Sequence, residues 1–216
     1  GTGTTLNPFN NLQAGADALN GGDTLIVRPA TYRNQEVQFE AAANGTSGTP
    51  TNVTFEAGCI IDGQFTKPSG PPWGSESGKA GSGNYAQGYL VTFRYCKHFV
   101  VEGNGLEIKN SQGSGLLITG DPDNALLRGL NISVSNVKIH DVRWQFAKAD
   151  ESDEILFDYL ECYNGGLFAP FSRAADACNW PNGMTMKDGS GMVITNSSVY
   201  RHWGEGISLT GGGNSA

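Results

Sequence analysis

The chain of 216 residues has no run of 18 apolar residues and no cluster of Lys or Arg. A membrane-spanning helix needs about 20 mostly apolar residues, so the sequence predicts no membrane span. Its 14 basic residues against 21 acidic ones, a net charge of −7, argue against nucleic acid as a partner. They also disfavour an acidic polymer, unless a cation such as calcium bridges the two. No P-loop, zinc signature or Ser-His-Asp order is present.

Cysteine is scarce, and its spacing does not resemble a CxxC metal site. The residues are Cys59, Cys96, Cys162 and Cys178. Four cysteines allow three disulfide connectivities, and four buried thiols are the other interpretation. Cys59 and Cys96 flank the irregular segment 64–88, and Cys162 and Cys178 flank most of the irregular segment 164–182. A disulfide within each pair would close the base of that segment.

Four Asn-x-Ser/Thr sequons favour an extracellular or cell-surface protein carrying glycans and disulfides. The acceptor residues are Asn44, Asn52, Asn131 and Asn196. Each sequon alone is a weak signal, because the chain is rich in Asn and Thr. Together they predict an oxidising compartment and a glycoprotein.

Glycine is abundant, with 31 residues, and glycines separate many of the short apolar segments. That pattern is typical of a β protein with frequent turns. Residues 7–20 are the exception and predict an amphipathic helix that Asn7 caps and Gly21-Gly22 ends. Its apolar face would cover one end of a hydrophobic core.

Two short phrases repeat along the chain. Val134–Ile139 can be laid over Phe157–Cys162, 23 residues later, and over Ile194–Val199 after an insertion. A glycine followed by alternating apolar residues occurs at positions 115, 183 and 206, the last two again 23 residues apart. This period favours an all-β, right-handed parallel β-helix with an N-terminal amphipathic capping helix over a β-sandwich. Asn136 and Asn196 fall at equivalent turn positions, where their amides would stack.

The repeats predict a single domain over residues 1–216 with two loop excursions, 64–88 and 164–182. The second contains Trp180, which would either bind a sugar face or pack onto the coil. The last full phrase ends at Gly212, so we expect the C-terminal end of the coil to be uncapped or continued. An open end exposes strand edges and predicts end-to-end self-association as one alternative.

The stretch Gly22–Tyr32, GDTLIVRPATY, resembles the opening of extracellular β-helix proteins of the pectate-lyase-like superfamily. Asn52–Phe55, Ile60–Gly63 and Phe99–Gly103 resemble its continuation. The resemblance is nearest to the family-nine polysaccharide lyases. It implies calcium-assisted β-elimination of uronate-containing glycans, in which a Lys or Arg base removes the proton beside the carboxylate.

The resemblance places calcium ligands near Glu161 and Glu205, whereas Gly204 and Ser208 occupy two further positions without a carboxylate. The acidic run 150–154 offers another calcium site together with Asp158 or Glu161, or else a solvated turn.

Three residues of the last repeats are candidates for the catalytic base or a substrate clamp: Lys187, Arg201 and His202. Arg143, Trp180 and Trp203 are candidates for substrate binding. Ordinary surface pairs are the alternative for each charged residue. The resulting hypothesis is a polysaccharide-lyase-like protein, and the alternative is a non-catalytic glycosylated surface protein, an adhesin or a filament subunit.

Overall fold

The computed structural model describes residues 3–64, 88–111, 113–166, 182–202 and 204–210. This part of the chain is almost entirely β, with a single short α-helix, α1 (Leu12–Asp17), and 3-10 turns at Ala41–Ala43 and Ala125–Leu127. The strands are β1 (Thr24–Val27), β2 (Thr31–Arg33), β3 (Val37–Phe39), β4 (Thr51–Phe55), β5 (Ile60–Asp62), β6 (Tyr89–Arg94), β7 (Lys97–Ser111), β8 (Ser114–Thr119), β9 (Gly129–Val142), β10 (Ala147–Asp150), β11 (Ser152–Gly165), β12 (Met184–Lys187), β13 (Val193–Thr195), β14 (Ser198–His202) and β15 (Ile207–Thr210). No helix in the described ranges has the length and apolar character needed to cross a bilayer.

The strands form two parallel sheets, and the chain passes from one to the other throughout. The larger sheet contains β1, β2, β4, β5, β7, β9, β11, β13 and β14, and the smaller one contains β3, β6, β8, β10, β12 and β15. Each strand of the smaller sheet follows a segment of the larger sheet. The strands pair in parallel with their equivalents in neighbouring repeats, in the order β3, β6, β8, β10, β12 and β15. Parallel sheets are therefore confirmed.

The predicted register of the repeats is confirmed in detail. Phe157 pairs with Val134 on one side and with Ile194 on the other. In the smaller sheet, Met184 pairs with Ile207, 23 residues further along the chain. Val134, Phe157 and Met184 are buried, so these repeats each add a layer to a shared core, whereas Ile207 on β15 is 50% exposed.

One repeat was not predicted, and it lies between two that were. Strand β10 pairs with β8 on one side and with β12 on the other. The residue before it is Phe146, where the two adjacent repeats have Gly115 and Gly183, and its buried ring lies against Gly165. Its sequence Ala-Lys-Ala-Asp has no β-branched residue, so the strand carries no local signal.

Helix α1 is shorter than the predicted 7–20 segment, and Asn7 is not its cap. The side chain of Asn11 accepts a hydrogen bond from the backbone N–H of Ala14 at 2.7 Å and caps the helix instead. Asn7 belongs to a preceding turn, in which its N–H donates to the carbonyl of Thr4. The apolar face, with Leu12 and Ala16 buried, packs against β1 and β3, the first strands of the two sheets.

The predicted disulfides are wrong for the cysteines that the structure describes. Cys59, Cys96 and Cys162 are buried free thiols, and Cys178 lies outside the described residues. Cys162 points into the core from β11, and Cys59 and Cys96, which lie just before β5 and β7, have buried thiols near backbone carbonyls. Burial raises the pKa of the Cys96 and Cys162 thiols far above the ordinary range, so both stay protonated.

Left-handed residues recur at equivalent positions of the long strands and mark their corners. One such column contains Asn136, Tyr159 and Asn196, and the next contains Asn110, Asp141, Asn164 and Arg201. Asparagine tolerates this backbone conformation better than most residues. Asn136 and Asn196 occupy equivalent corners as predicted, but their amides donate to Glu102 and Asp158 and Tyr159 lies between them in register. Between the two columns, each repeat presents a short extended piece of the larger sheet.

Candidate functional site

The outer surface between the two corner columns holds a group of interacting polar and aromatic side chains. We call it the ladder face. Two rows of outward residues define it: Glu107, Lys138, Glu161 and Ser198 in the first, and Lys109, His140, Tyr163 and Tyr200 in the second. Neighbouring parallel strands lie about 4.8 Å apart, so residues within a row are in contact.

Three rings of the second row stack on one another. The His140 and Tyr163 ring centroids are 4.5 Å apart with planes 6° from parallel, and those of Tyr163 and Tyr200 are 5.2 Å apart at 14°. Sheet spacing enforces this stack, because equivalent residues of successive repeats share one line. The result is a rigid aromatic strip that ends at the exposed Tyr200.

His140 is held between two carboxylates at the start of this strip. Its Nε2 lies 2.9 Å from Glu107 Oε1 and its Nδ1 lies 2.6 Å from Asp141 Oδ2, and only 7% of the residue is exposed. Both contacts are hydrogen bonds only when both ring nitrogens carry protons. Burial would raise the pKa of Glu107, but hydrogen bonds from Lys109 and His140 outweigh it and lower that pKa. His140 thus positions the strip and is not open to a substrate.

Glu161 is the centre of the exposed half of the ladder face. The Tyr200 hydroxyl donates a hydrogen bond to Glu161 Oε1 at 2.9 Å, and Lys138 Nζ lies 3.3 Å from Oε2. The bond from Tyr200, and after it Lys138, lowers the pKa of the Glu161 carboxyl, and the same bond raises the pKa of Tyr200. The site therefore contains the Lys138 amino group, the Glu161 carboxyl and the Tyr200 hydroxyl within contact distance.

A depression of about 380 Å³ adjoins this cluster. It is lined by Gly105, Asn136, Val137, Lys138, Tyr159, Leu160, Glu161, Asn196 and Ser198. The volume is within the range of small-molecule sites, and the lining mixes amide, charged and aromatic groups. The depression and the ladder face share Lys138, Glu161 and Ser198, so they form one continuous surface.

The predicted calcium ligands Glu161, Asp158 and Glu205 do not converge on one point. Asp158 accepts a hydrogen bond from the Asn196 amide at 2.8 Å, and Glu205 is exposed in the connection between β14 and β15. The group of carboxylates that could hold a metal ion, among the residues described, is Asp150, Glu151 and Asp188, with ligand atoms within 4.8 Å of one another.

Cations surround that acidic group. Lys187 Nζ is 2.8 Å from Asp188 and 3.8 Å from Asp150, and Lys148 Nζ is 2.5 Å from Asp150. Arg128 lies 3.0 Å from Glu151. The ion pairs already neutralise most of the negative charge, which weakens the site for a divalent cation.

The predicted base and clamp residues do not form one cluster. Lys187 belongs to the smaller sheet, and its hydrogen bond to Asp188 raises its pKa, which disfavours a role as base. Arg201 occupies a left-handed corner beside Tyr200. The His202 ring packs against Phe146 with centroids 5.1 Å apart.

Arg143 lies over the Trp144 ring, with its guanidinium carbon 5.5 Å from the ring centroid. Trp180 and Trp203 lie outside the described residues, so their predicted role in substrate binding stays a prediction.

The four predicted glycosylation sites differ in exposure. The amide nitrogens of Asn44 and Asn52 are half-buried and donate to backbone carbonyls of Tyr95 and Pro50. Asn131 and Asn196 are exposed at left-handed corners, and glycan attachment to any of the four stays a prediction.

The sequence did not single out Lys138, Tyr163 or Tyr200 as functional. The alignment of the sequence repeats could have identified the first row, because it places Lys138 and Ser198 on either side of Glu161. The first row of the ladder face contains Lys, Glu and Ser, and the second contains His, Tyr and Tyr. These two rows become visible only when the repeats are aligned and their outward positions are compared.

Comparisons with known proteins show that the fold of this chain is similar to that of a solved structure. No protein-family model matches the chain, and no curated protein matches it. The crystal structure of an alginate lyase from Paenibacillus sp. str. FPU-7 superposes with a TM-score of 0.53 at 12% sequence identity, over 87% of this chain. The chain spans 63% of the length of that lyase. The described chain therefore has a carbohydrate-lyase-like fold of parallel β-sheets.

Proposed function

We propose that this chain is an extracellular or cell-surface, polysaccharide-lyase-like protein that acts on a uronate-containing glycan along the ladder face. In this proposal the two parallel sheets are walls of a right-handed parallel β-helix. The observation that carries the proposal is the cluster of Lys138, Glu161 and Tyr200 on an exposed face. The fold likeness to an alginate lyase agrees with it.

The chemistry of β-elimination defines what such a site must supply. A base removes the proton on the carbon beside the uronate carboxylate, and a double bond forms as the bond to the glycosidic oxygen breaks. An acid protonates the departing oxygen. A cation next to the carboxylate stabilises the negative charge that develops there.

The cluster contains one group for each task. Lys138 is about half exposed, and its ammonium can turn from Glu161 to a uronate carboxylate. Glu161 then loses one of the groups that keep its pKa low, and as the freed carboxylate it takes the proton from carbon. Tyr200 gives its proton to the departing oxygen. The hydrogen bond that joins Glu161 and Tyr200 returns the proton from the acid to the phenolate, so the cycle closes.

Calcium, which the resemblance implied, has no suitable place in this site. A calcium ion takes six to eight oxygen ligands, whereas Glu161 is already engaged by an ammonium and a phenol. The acidic group Asp150, Glu151 and Asp188 can offer ligands, but cations neutralise it. In the proposal, Lys138 therefore supplies the positive charge, and we expect EDTA to leave activity unchanged.

Binding and cleavage of uronate polymers test the proposal together. The protein is incubated with alginate and with pectate, with and without EDTA, and the ultraviolet absorbance of the unsaturated product is followed. Lys138→Met should lower binding and product formation, whereas Arg28→Met should lower neither. Arg28 is a good control because its pair with Glu56 is equally exposed and lies far along the coil. Loss of activity in EDTA would restore the calcium interpretation.

Two exposed apolar side chains favour a second candidate function, a filament or adhesin subunit. Ile207 and Leu209 lie on β15, which is the last strand in the order of the smaller sheet, and they are 50% and 72% exposed. Self-association would cover them. Sedimentation at increasing protein concentration, combined with no product from any uronate polymer, would favour this function over catalysis.

A further inference from the structure

Tyr159 occupies a backbone position that its equivalents fill with asparagine. In the register of the larger sheet it lies between Asn136 and Asn196. The φ angles of the three are 51°, 55° and 47° in the order Tyr159, Asn136, Asn196. An aromatic residue is strained in this left-handed region, whereas asparagine enters it readily.

No side-chain hydrogen bond among the described residues compensates for this strain. The Asn136 amide donates to Glu102 at 2.7 Å, and the Asn196 amide donates to Asp158 at 2.8 Å, so both asparagines tie one repeat to the preceding one. Tyr159 makes no side-chain hydrogen bond to any residue that the structure describes, and it is 57% exposed. Fold stability therefore does not explain a tyrosine here. Strained residues that stability does not explain point to binding.

The surroundings of Tyr159 indicate what it binds. Its side chain lines the 380 Å³ depression together with Lys138, Glu161 and Ser198. We propose that the Tyr159 ring is a stacking platform for a sugar ring of the glycan whose carboxylate pairs with Lys138. The aromatic face meets the C–H face of the sugar, and the amides of the neighbouring asparagines meet its hydroxyls. This inference rests on the proposed function and adds a subsite to it.

Native electrophoresis through gels containing alginate or pectate tests this platform, with an uncharged polysaccharide gel correcting for mobility. Tyr159→Asn removes the ring and relieves the strain. We expect its apparent affinity to fall at least about fivefold while its Tm rises by roughly 2–4 °C. Tyr159→Phe keeps the ring and should bind as the wild type does.

Tyr95→Asn is the matched control, because Tyr95 is also left-handed, with φ of 59°, but does not line the depression. It should leave glycan binding unchanged, whereas its Tm also reflects the lost contacts of Tyr95 with Arg94. Wild-type binding in Tyr159→Asn would overturn the platform alone. A lower Tm in that variant would also overturn it, by showing that the ring packs against the chain itself. If the wild type is not retarded by any acidic polymer, the proposed function fails and the platform fails with it.

Discussion

Arg128 joins three successive repeats, and removing it should destabilise the fold measurably. Its guanidinium donates to Asp153 at 2.8 and 3.4 Å, to Glu151 at 3.0 Å and to the carbonyl of Asp188 at 2.6 Å. Breaking a fully buried ion pair costs about 3–5 kcal/mol. Because 25% of the Arg128 side chain is exposed, we expect about 2–3 kcal/mol for Arg128→Met. In a chain of this length that loss lowers Tm by roughly 4–12 °C.

The pH dependence of this loss follows from Asp153. Burial would raise the pKa of its carboxyl, but the hydrogen bonds from Arg128 and Ser190 outweigh it and lower that pKa. A lowered folded-state pKa contributes stability above the unfolded value of about 3.9 and loses it as the pH falls. The gap in Tm between wild type and Arg128→Met should therefore be full at pH 7 and shrink below about pH 4.

Thermal unfolding followed by circular dichroism measures this gap, and Arg28→Met is the control. The Arg28–Glu56 pair has a similar distance, 2.9 Å, but its side chains are 57% and 36% exposed. Its loss should cost less than about 1 kcal/mol. Equal effects of the two substitutions, or a gap that is independent of pH, would refute the idea that Arg128 clamps the repeats electrostatically.

Further predictions concern the core, the thiols and the ladder face. Phe157→Ala removes a fully buried ring from the central layer and should cost about 3–5 kcal/mol by urea unfolding, whereas a cost below about 1 kcal/mol would contradict the packing. In a Cys178→Ser background, a thiol reagent should label none of the remaining cysteines in the native protein and all three after denaturation. The affinity of the ladder face for acidic glycans should fall as salt rises, because Lys138 makes an exposed ionic contact, and salt-independent binding would argue against that contact.

The parallel layers could be predicted because each repeat carries the same alternation and the same corner residues. Val134, Phe157 and Ile194 pair as their overlay predicted, since slipping one strand by one residue would turn its apolar side chains outward. The same overlay also argues against the disulfide predicted for Cys162. Cys162 aligns with Ile139 and Val199, which are apolar residues on the inner side, and that alignment predicts a buried thiol.

The candidate site could be predicted only in part. Glu161 was predicted as a calcium ligand, whereas its partners on the ladder face, Lys138 and Tyr200, come from the repeats before and after it and were not predicted. Such contacts depend on which outward side chains face each other across strands, and no local pattern encodes them. The calcium hypothesis had the same weakness, because the cations that neutralise Asp150 and Asp188 are visible only in three dimensions.

The production of unsaturated sugar from alginate and pectate by wild type and Glu161→Gln tests the central claim most directly. The amide keeps the size of the side chain and can still accept the hydrogen bond from Tyr200, but it cannot take a proton from carbon. We predict a product with the wild type and a rate at least about a hundredfold lower with the variant, at equal Tm. No product from any uronate polymer, or an unchanged rate in Glu161→Gln, would contradict the assignment of this face as a lyase site.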